Sequence, residues 1–224
     1  MCQRFTSRYT GPQLQELYEL ASLLPAFDFP PRFNIAPTQM SVVVRLNKEG
    51  ARESAAMKWG LVPSWAKDPN GGAKMIVAKA ETIAEKPAHR SAFLRRRCLV
   101  VADGFYEWQK IGPKEKQPFF ITRAEEKPFA FAGISEWWRP RDGSDLIETF
   151  AIVTTAANAV CAKVHDRMPV MLAPESWPQW LSNSGDHKRL LQPFPAGQTE
   201  MWPVSKAVGN IKNDSPELVR RIEA

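Results

Sequence analysis

Nineteen prolines run from Pro12 to Pro216 along the 224 residues, and they set the first limit on what this chain can fold into. Proline fixes φ, removes a backbone donor and pushes the residue before it out of the helical region. Long helices are therefore excluded, and short runs of β-branched and aromatic residues carry the architecture instead. Residues 40–45, 98–101, 105–108, 119–122, 129–134 and 150–155 read as strands, and 57–61 as a further apolar segment. Turn signals separate them at residues 47–50, Asp103-Gly104, Gly112-Pro113 and Asp142-Gly143. Two helical stretches fit between the prolines. Residues 12–24 place Leu14, Leu17, Leu20, Leu23 and Leu24 at helical spacing, and residues 174–181 open with Pro174-Glu175 as a helix start does. The pattern predicts an α+β fold: mostly antiparallel strands in a curved, barrel-like β-core with peripheral short helices, residues 1–224 forming one domain.

Lys and Arg number 30 against 24 acidic residues, a modest excess that fits plain solubility and a polyanion partner equally well. Locally the excess concentrates in Arg95-Arg96-Arg97, with His89 and Arg90 before it and Lys110, Lys114 and Lys116 after it. Aromatic residues interleave these cations, as a single strand with charged phosphates and unstacked bases would require. Composition alone favours the plainer reading, a solvated positive face over an aromatic core. No run is apolar for the roughly 18 residues that a membrane-spanning helix needs. The start lacks a signal-peptide core, so a cytoplasmic location is expected, without a membrane partner. The three cysteines, Cys2, Cys98 and Cys161, have no paired or metal-binding spacing and read as free thiols, the latter two in core surroundings. No phosphate-binding glycine loop and no zinc motif is present, so neither cofactor nor metal is expected.

Three side chains stand out chemically. Once Met1 is removed, Cys2 carries an α-amine and a thiol on one residue, with ordinary pKa values of about 8 and 8.5. Such an aminothiol condenses with an aldehyde to a five-membered thiazolidine; the same pair is able to act as nucleophile and base on an amide. The plain alternative is that position two merely follows the start. Glu107 lies between Tyr106 and Trp108, where partial burial would raise its pKa and suit it to acid–base work; an outward-facing strand position is the alternative. His165, in Val164-His165-Asp166-Arg167-Met168-Pro169, suits proton transfer at neutral pH or a structural bond to Asp166 or the backbone. Glu81 reads as a second acid or as the surface partner of Lys79.

Taken together, a series of blocks resembles the SRAP family (SOS-response-associated peptidases), the abasic-site-processing proteins. They are Met1-Cys2-Gln3-Arg4-Phe5, Phe33-Asn34-Ile35-Ala36-Pro37, Trp59-Gly60-Leu61-Val62-Pro63-Ser64-Trp65 and Ala80-Glu81-Thr82. Next come Arg97-Cys98, Asp103-Gly104-Phe105-Tyr106-Glu107-Trp108 and Lys116-Gln117-Pro118-Phe119. Ala132-Gly133-Ile134, the His165 block, Pro203-Val204-Ser205 and Val208-Gly209-Asn210 complete the series along nearly the whole chain. The resemblance implies a barrel-like core with a positive groove for single-stranded DNA. It implies that Cys2, freed by self-processing, crosslinks to the aldehyde of an abasic site through a thiazolidine. It further implies that Glu107 serves Met1 removal and crosslink reversal, and that His165 transfers protons and binds the lesion. Arg4, Pro37, Trp65, Val77, Lys79 and Trp108 fall on the family's DNA-binding positions. The implied partner is single-stranded DNA containing abasic sites, met by a monomer.

Two blocks depart from the family pattern. Gln3 stands where Gly is usual, and Val77-Ala78-Lys79 stands where the family has Asn-Ala-Arg. Val77 offers no donor or acceptor, and Lys79 keeps the charge without the bidentate fork. The expectation is slower crosslinking with weakened self-processing or lyase activity. Read without the resemblance, two rivals stay open: an N-terminal-cysteine amidohydrolase with a deep apolar pocket, and a non-catalytic single-strand-binding module.

Overall fold

A computed structural model describes residues 3–21, 30–140, 143 and 145–223. In chain order its strands and helices begin with β1 (Phe5–Ser7), α1 (Gly11–Leu17), β2 (Arg32–Ile35), β3 (Met40–Leu46), β4 (Arg52–Trp59) and β5 (Val77–Lys79). They continue with α2 (Pro87–Arg95), β6 (Arg97–Ala102), β7 (Gly104–Lys110), β8 (Lys116–Arg123), β9 (Phe129–Trp138) and β10 (Ile147–Ala156). The last are β11 (Arg167–Pro169), β12 (Met171–Leu172), α3 (Trp177–Leu181) and β13 (Thr199–Pro203). Short 3₁₀ turns fill several of the connections.

Five strands close on themselves. β4, β3, β6, β9 and β10 pair in sequence, and β10 returns to β4 in the one parallel contact of this ring. β5 and β11 extend β10, and β12 extends β9. A second, antiparallel sheet runs β13-β8-β7-β1-β2. The expected mostly antiparallel barrel-like core is what the chain builds.

The two faces of the ring bury different partners, as the period of two along a strand dictates. On β6, Leu99 and Val101 join Leu14, Tyr18, Phe93, Trp177 and Trp180 beneath the helices. Their neighbours Cys98, Val100 and Ala102 join Phe5, Phe105 and Ile121, which the second sheet contributes. Under the helices, Tyr18 stacks on Trp177 with ring centres 4.4 Å apart.

Several expectations change on contact with the structure. The first helix stops at Leu17 rather than running to residue 24; residues 22–29 lie outside the described part. Its end is a Schellman turn: the Leu20 N–H reaches Gln15 O and the Glu19 N–H reaches Glu16 O, with Glu19 at φ 51°. The second helical stretch is real but divided, a 3₁₀ turn at Pro174–Ser176 leading into α3. Among the short elements, β1, β2, β5, α2 and β13 carry no strong pattern in the sequence. α2 opens on Pro87, which suits a first helical position but gives no periodic apolar stripe. The turn expected at Asp142-Gly143 involves Asp142, which lies outside the described residues.

The arginine run divides three ways, so it is not the solvated positive face that composition favoured. Arg97 is buried, its guanidinium donating to the carbonyls of Phe93 and Leu94 at the end of α2 and of Trp180 and Ser182 at the end of α3. It ties two helix C-termini together, where carbonyls lack partners and positive charge is favoured. Arg96 pairs with buried Glu136 at 2.6 Å and lies 5.4 Å over Trp137. Arg95 alone of the three is exposed.

Candidate active site

β7 brings the first acid into place. Gly104 opens it because an added Cβ would sit 2.0 Å from the Phe120 ring. From there the strand alternates: Phe105 enters the core between the sheets, and Tyr106 turns to Phe120, Val204 and Val208. Glu107 shares the Phe105 face and is only 3% exposed, so the outward-strand reading of it fails. Burial raises its pKa above the usual carboxylate range, partly opposed by the nearby His165. Burial also lifts the Cys161 thiol to about 12, with the Glu107 charge adding to the effect. Cys98 reaches about 12 for the same chief reason, so both described cysteines are inert core thiols.

Glu107 and Trp108 form one side of an open cleft of about 580 Å³. His165 and Val164 form another side, Gln3 and Arg4 a third, and Lys110, Lys116 and Gly209 complete the lining. Arg4 is half-buried, 6.0 Å over the Trp108 ring, with its Nη1 3.4 Å from Val208 O. Burial lowers the pKa of its guanidinium. Lys110 and Lys116 face each other across the β7–β8 hairpin. The cleft therefore has an acidic floor and a cationic lip.

His165 is held by its backbone and through one ring nitrogen. Its N–H donates to Cys161 O at 3.0 Å, and its Nδ1 accepts the Arg167 N–H at 3.0 Å. A neutral ring so held carries its proton on Nε2. The same Nδ1 is 2.8 Å from Asp166 Oδ1, a contact that serves the ring once it is protonated. Both structural roles considered for His165 are thus present, on a residue that also lines the cleft.

The structure brings together Arg4, Glu107, Trp108 and His165. Cys2 and Met1 lie outside the described residues, although Gln3, next in the chain, is exposed on the cleft wall. Gln3 therefore lines the mouth without filling it. Pro37, Trp65, Val77 and Lys79 are not part of the lining described for this cleft. Pro37 sits in the turn after β2, and Trp65 is 66% exposed on the loop after β4. Val77 is half-buried on β5 opposite Ile152, and Lys79 is exposed opposite Thr154. Glu81 takes Arg167, not Lys79, as its main partner, through two bonds of 2.6 and 3.0 Å. That fork joins the segment after β5 to the one that carries His165.

Two supporting residues were invisible to residue-type reasoning. Asn34 is buried and points its amide at Val208 O, Asn210 O and Asn213 O, which fixes the segment bearing Gly209. Asn158 caps the turn before His165 through Val160 N and Cys161 N. An Asn just ahead of a short turn is the only local signal for it. Among the described residues no group of three or more His, Cys, Asp or Glu is placed to hold a metal ion. No helix among the described residues is long and apolar enough to cross a membrane.

This fold and cleft define a recognisable class. Residues 1–211 match the SOS response associated peptidase (SRAP) family, and the chain belongs to it. It is 39% identical to the abasic site processing protein YoqW of Bacillus subtilis (strain 168), over 98% of this chain and 99% of that protein. To the abasic site processing protein YedK of Escherichia coli (strain K12) it is 33% identical, covering 99% and 100%. A solved protein of Bacteroides thetaiotaomicron shares the fold at a TM-score of 0.89 and 24% identity, covering 99% of this chain and all of that one.

Proposed function

We propose that this protein processes abasic sites in single-stranded DNA by capturing the lesion's aldehyde on Cys2. The observation that carries the reading is the cleft. It sets a buried acid and a histidine beside Arg4, Lys110 and Lys116, and Gln3 on its wall is the residue that follows Cys2 in the chain. Cations at the lip suit the phosphates of a strand, and an open cleft suits a polymer better than a small amide does. The inertness of Cys98 and Cys161 leaves Cys2 as the thiol for the reaction.

The chemistry balances simply. Hydrolysis of the Met1–Cys2 amide consumes one water and frees the α-amine. That amine adds to the aldehyde of the ring-opened deoxyribose, and loss of one water gives an imine. The Cys2 thiolate then adds to the imine carbon while nitrogen takes a proton, closing the thiazolidine. Glu107, protonated to higher pH than an ordinary carboxylate, donates to the departing hydroxyl, and its conjugate base serves amide hydrolysis and reversal. His165 moves protons on the lesion side.

The test incubates the protein with single-stranded DNA carrying one abasic site and looks for a heat-stable adduct, with intact mass reporting loss of Met1. The expected result is an adduct from the wild type and none from Cys2→Ala. Processed wild-type protein that binds this DNA yet forms no adduct overturns the reading. Val77→Asn, tested alongside, is expected to speed adduct formation by about 5-fold, the equivalent of about 1 kcal/mol for one restored hydrogen bond.

A further inference from the structure

Asn158 uses every hydrogen-bonding position of its side chain, and it does so in a buried setting. Its Oδ1 accepts the N–H groups of Val160 and Cys161 at 3.1 and 2.9 Å. Its Nδ2 donates to Phe194 O at 2.7 Å and to Thr199 Oγ1 at 2.9 Å. The backbone joins in, with Ala162 N donating to Asn158 O at 2.8 Å and Asn158 N reaching the Met168 sulfur at 3.4 Å. The Cys161 carbonyl, fixed by this turn, then accepts the N–H of His165 at 3.0 Å. Ala157 N bonds to Asp166 O at 2.9 Å, which closes the neck of the same loop. One continuous set of bonds thus runs from the segment around Phe194 and Thr199, through Asn158, to the histidine in the cleft.

We propose that Asn158 is a positioning residue for His165, holding the loop of residues 157–166 so that the imidazole stays over the cleft floor with Glu107. The inference rests on the reading that His165 transfers protons during aldehyde capture. Its Oδ1 half shapes the turn that carries the histidine. Its Nδ2 half anchors that turn to the chain leading into β13, a separate part of the second sheet.

The experiment measures the adduct-forming rate constant at saturating abasic single-stranded DNA, with DNA affinity measured separately. Asn158→Ala is expected to lower the rate constant by about 10- to 100-fold while DNA affinity changes less than about 2-fold, as expected when a reacting group is misplaced by an ångström or less. Asn158→Asp keeps both acceptors of the turn and loses the anchoring donors, so it recovers part of the rate. The double variant Asn158→Ala/His165→Ala reports the coupling. If Asn158 acts through His165, the double variant is no slower than His165→Ala alone. NMR of the His165 ring in the folded variant adds a readout that simple loss of stability would not move: its ring signals are expected to change position in Asn158→Ala.

Additive losses in the double variant, or a wild-type rate from folded Asn158→Ala, overturn the inference. If Asn158→Ala does not fold, Asn158→Asp and Thr199→Val carry the same comparison, and wild-type rates from both overturn it. Failure of the wild type itself to form an adduct is a different result, and it overturns the proposed function instead.

Discussion

Arg97 and Glu107 are both ionisable side chains taken almost wholly out of water, on consecutive strands of different sheets, and they meet burial in opposite ways. Under the helices, the Arg97 guanidinium is surrounded by four carbonyl oxygens that themselves need donors at helix ends. Between the sheets, Glu107 lies against Phe105 and Cys161 neighbours with a cleft in front of it, and burial pushes its pKa upward. The first arrangement holds two helices together; the second turns a carboxyl with a raised pKa toward an open cleft. The two buried groups thus differ in what they face, helix-end carbonyls in one case and solvent-reachable space in the other.

The sharpest way to break this comparison is Glu107→Gln. Adduct formation is expected to fall by about 10²- to 10⁴-fold, the usual range for losing a general acid–base group. Stability is expected to move the other way. A carboxyl with a raised folded pKa holds its proton more tightly in the native state, so its effect on stability worsens as pH rises from its ordinary value, 4.5, through the raised one. Thermal melts of Glu107→Gln should therefore exceed wild type at neutral pH, and the gap should shrink below the ordinary carboxylate range. A gap that grows on acidification breaks the argument.

Arg97→Met is the counterpart. Four carbonyls lose their donor, and denaturant unfolding is expected to show a loss of about 3–5 kcal/mol. The folded fraction should still form adduct at the wild-type rate. Gly104→Ala probes the start of the strand that carries Glu107. Its Cβ would strike the Phe120 ring, and overpacking of this kind destabilises by about 1–3 kcal/mol in the same measurement. The smallest change is at the exposed end of α1: Glu19→Gly should stabilise by about 0.5–1 kcal/mol, since Glu19 occupies a left-handed position that glycine tolerates without strain.

The same contrast explains what the amino-acid sequence made legible. Cys98, Val100, Phe131 and Ile152 sit in runs with a period of two or in continuous apolar stretches, and those runs became the strands of the ring. β1, β5 and β13 did not stand out, because their strand character comes from neighbours far along the chain rather than from pattern. Glu107 and His165 were visible as unusual residue types in unusual company. Asn158 and Asn34 were not, since what they bond to is mostly backbone, and a backbone group has no identity in a sequence. Arg97 misled in the opposite sense: three arginines in a row look like one basic patch, yet Arg95 ends α2, Arg96 caps it and Arg97 opens β6, so each meets different surroundings.

The contact between Arg4 and Val208 spans 204 residues of chain. Together with the three carbonyls that Asn34 faces on Val208, Asn210 and Asn213, it ties the Gln3–Arg4 side of the cleft to the segment that bears Gly209. The wall formed by Gln3 and Arg4 is thus held only once segments 204 residues apart have met. Assembly of the cleft is therefore among the most non-local steps in folding this chain, and truncation short of Gly209 removes part of its lining.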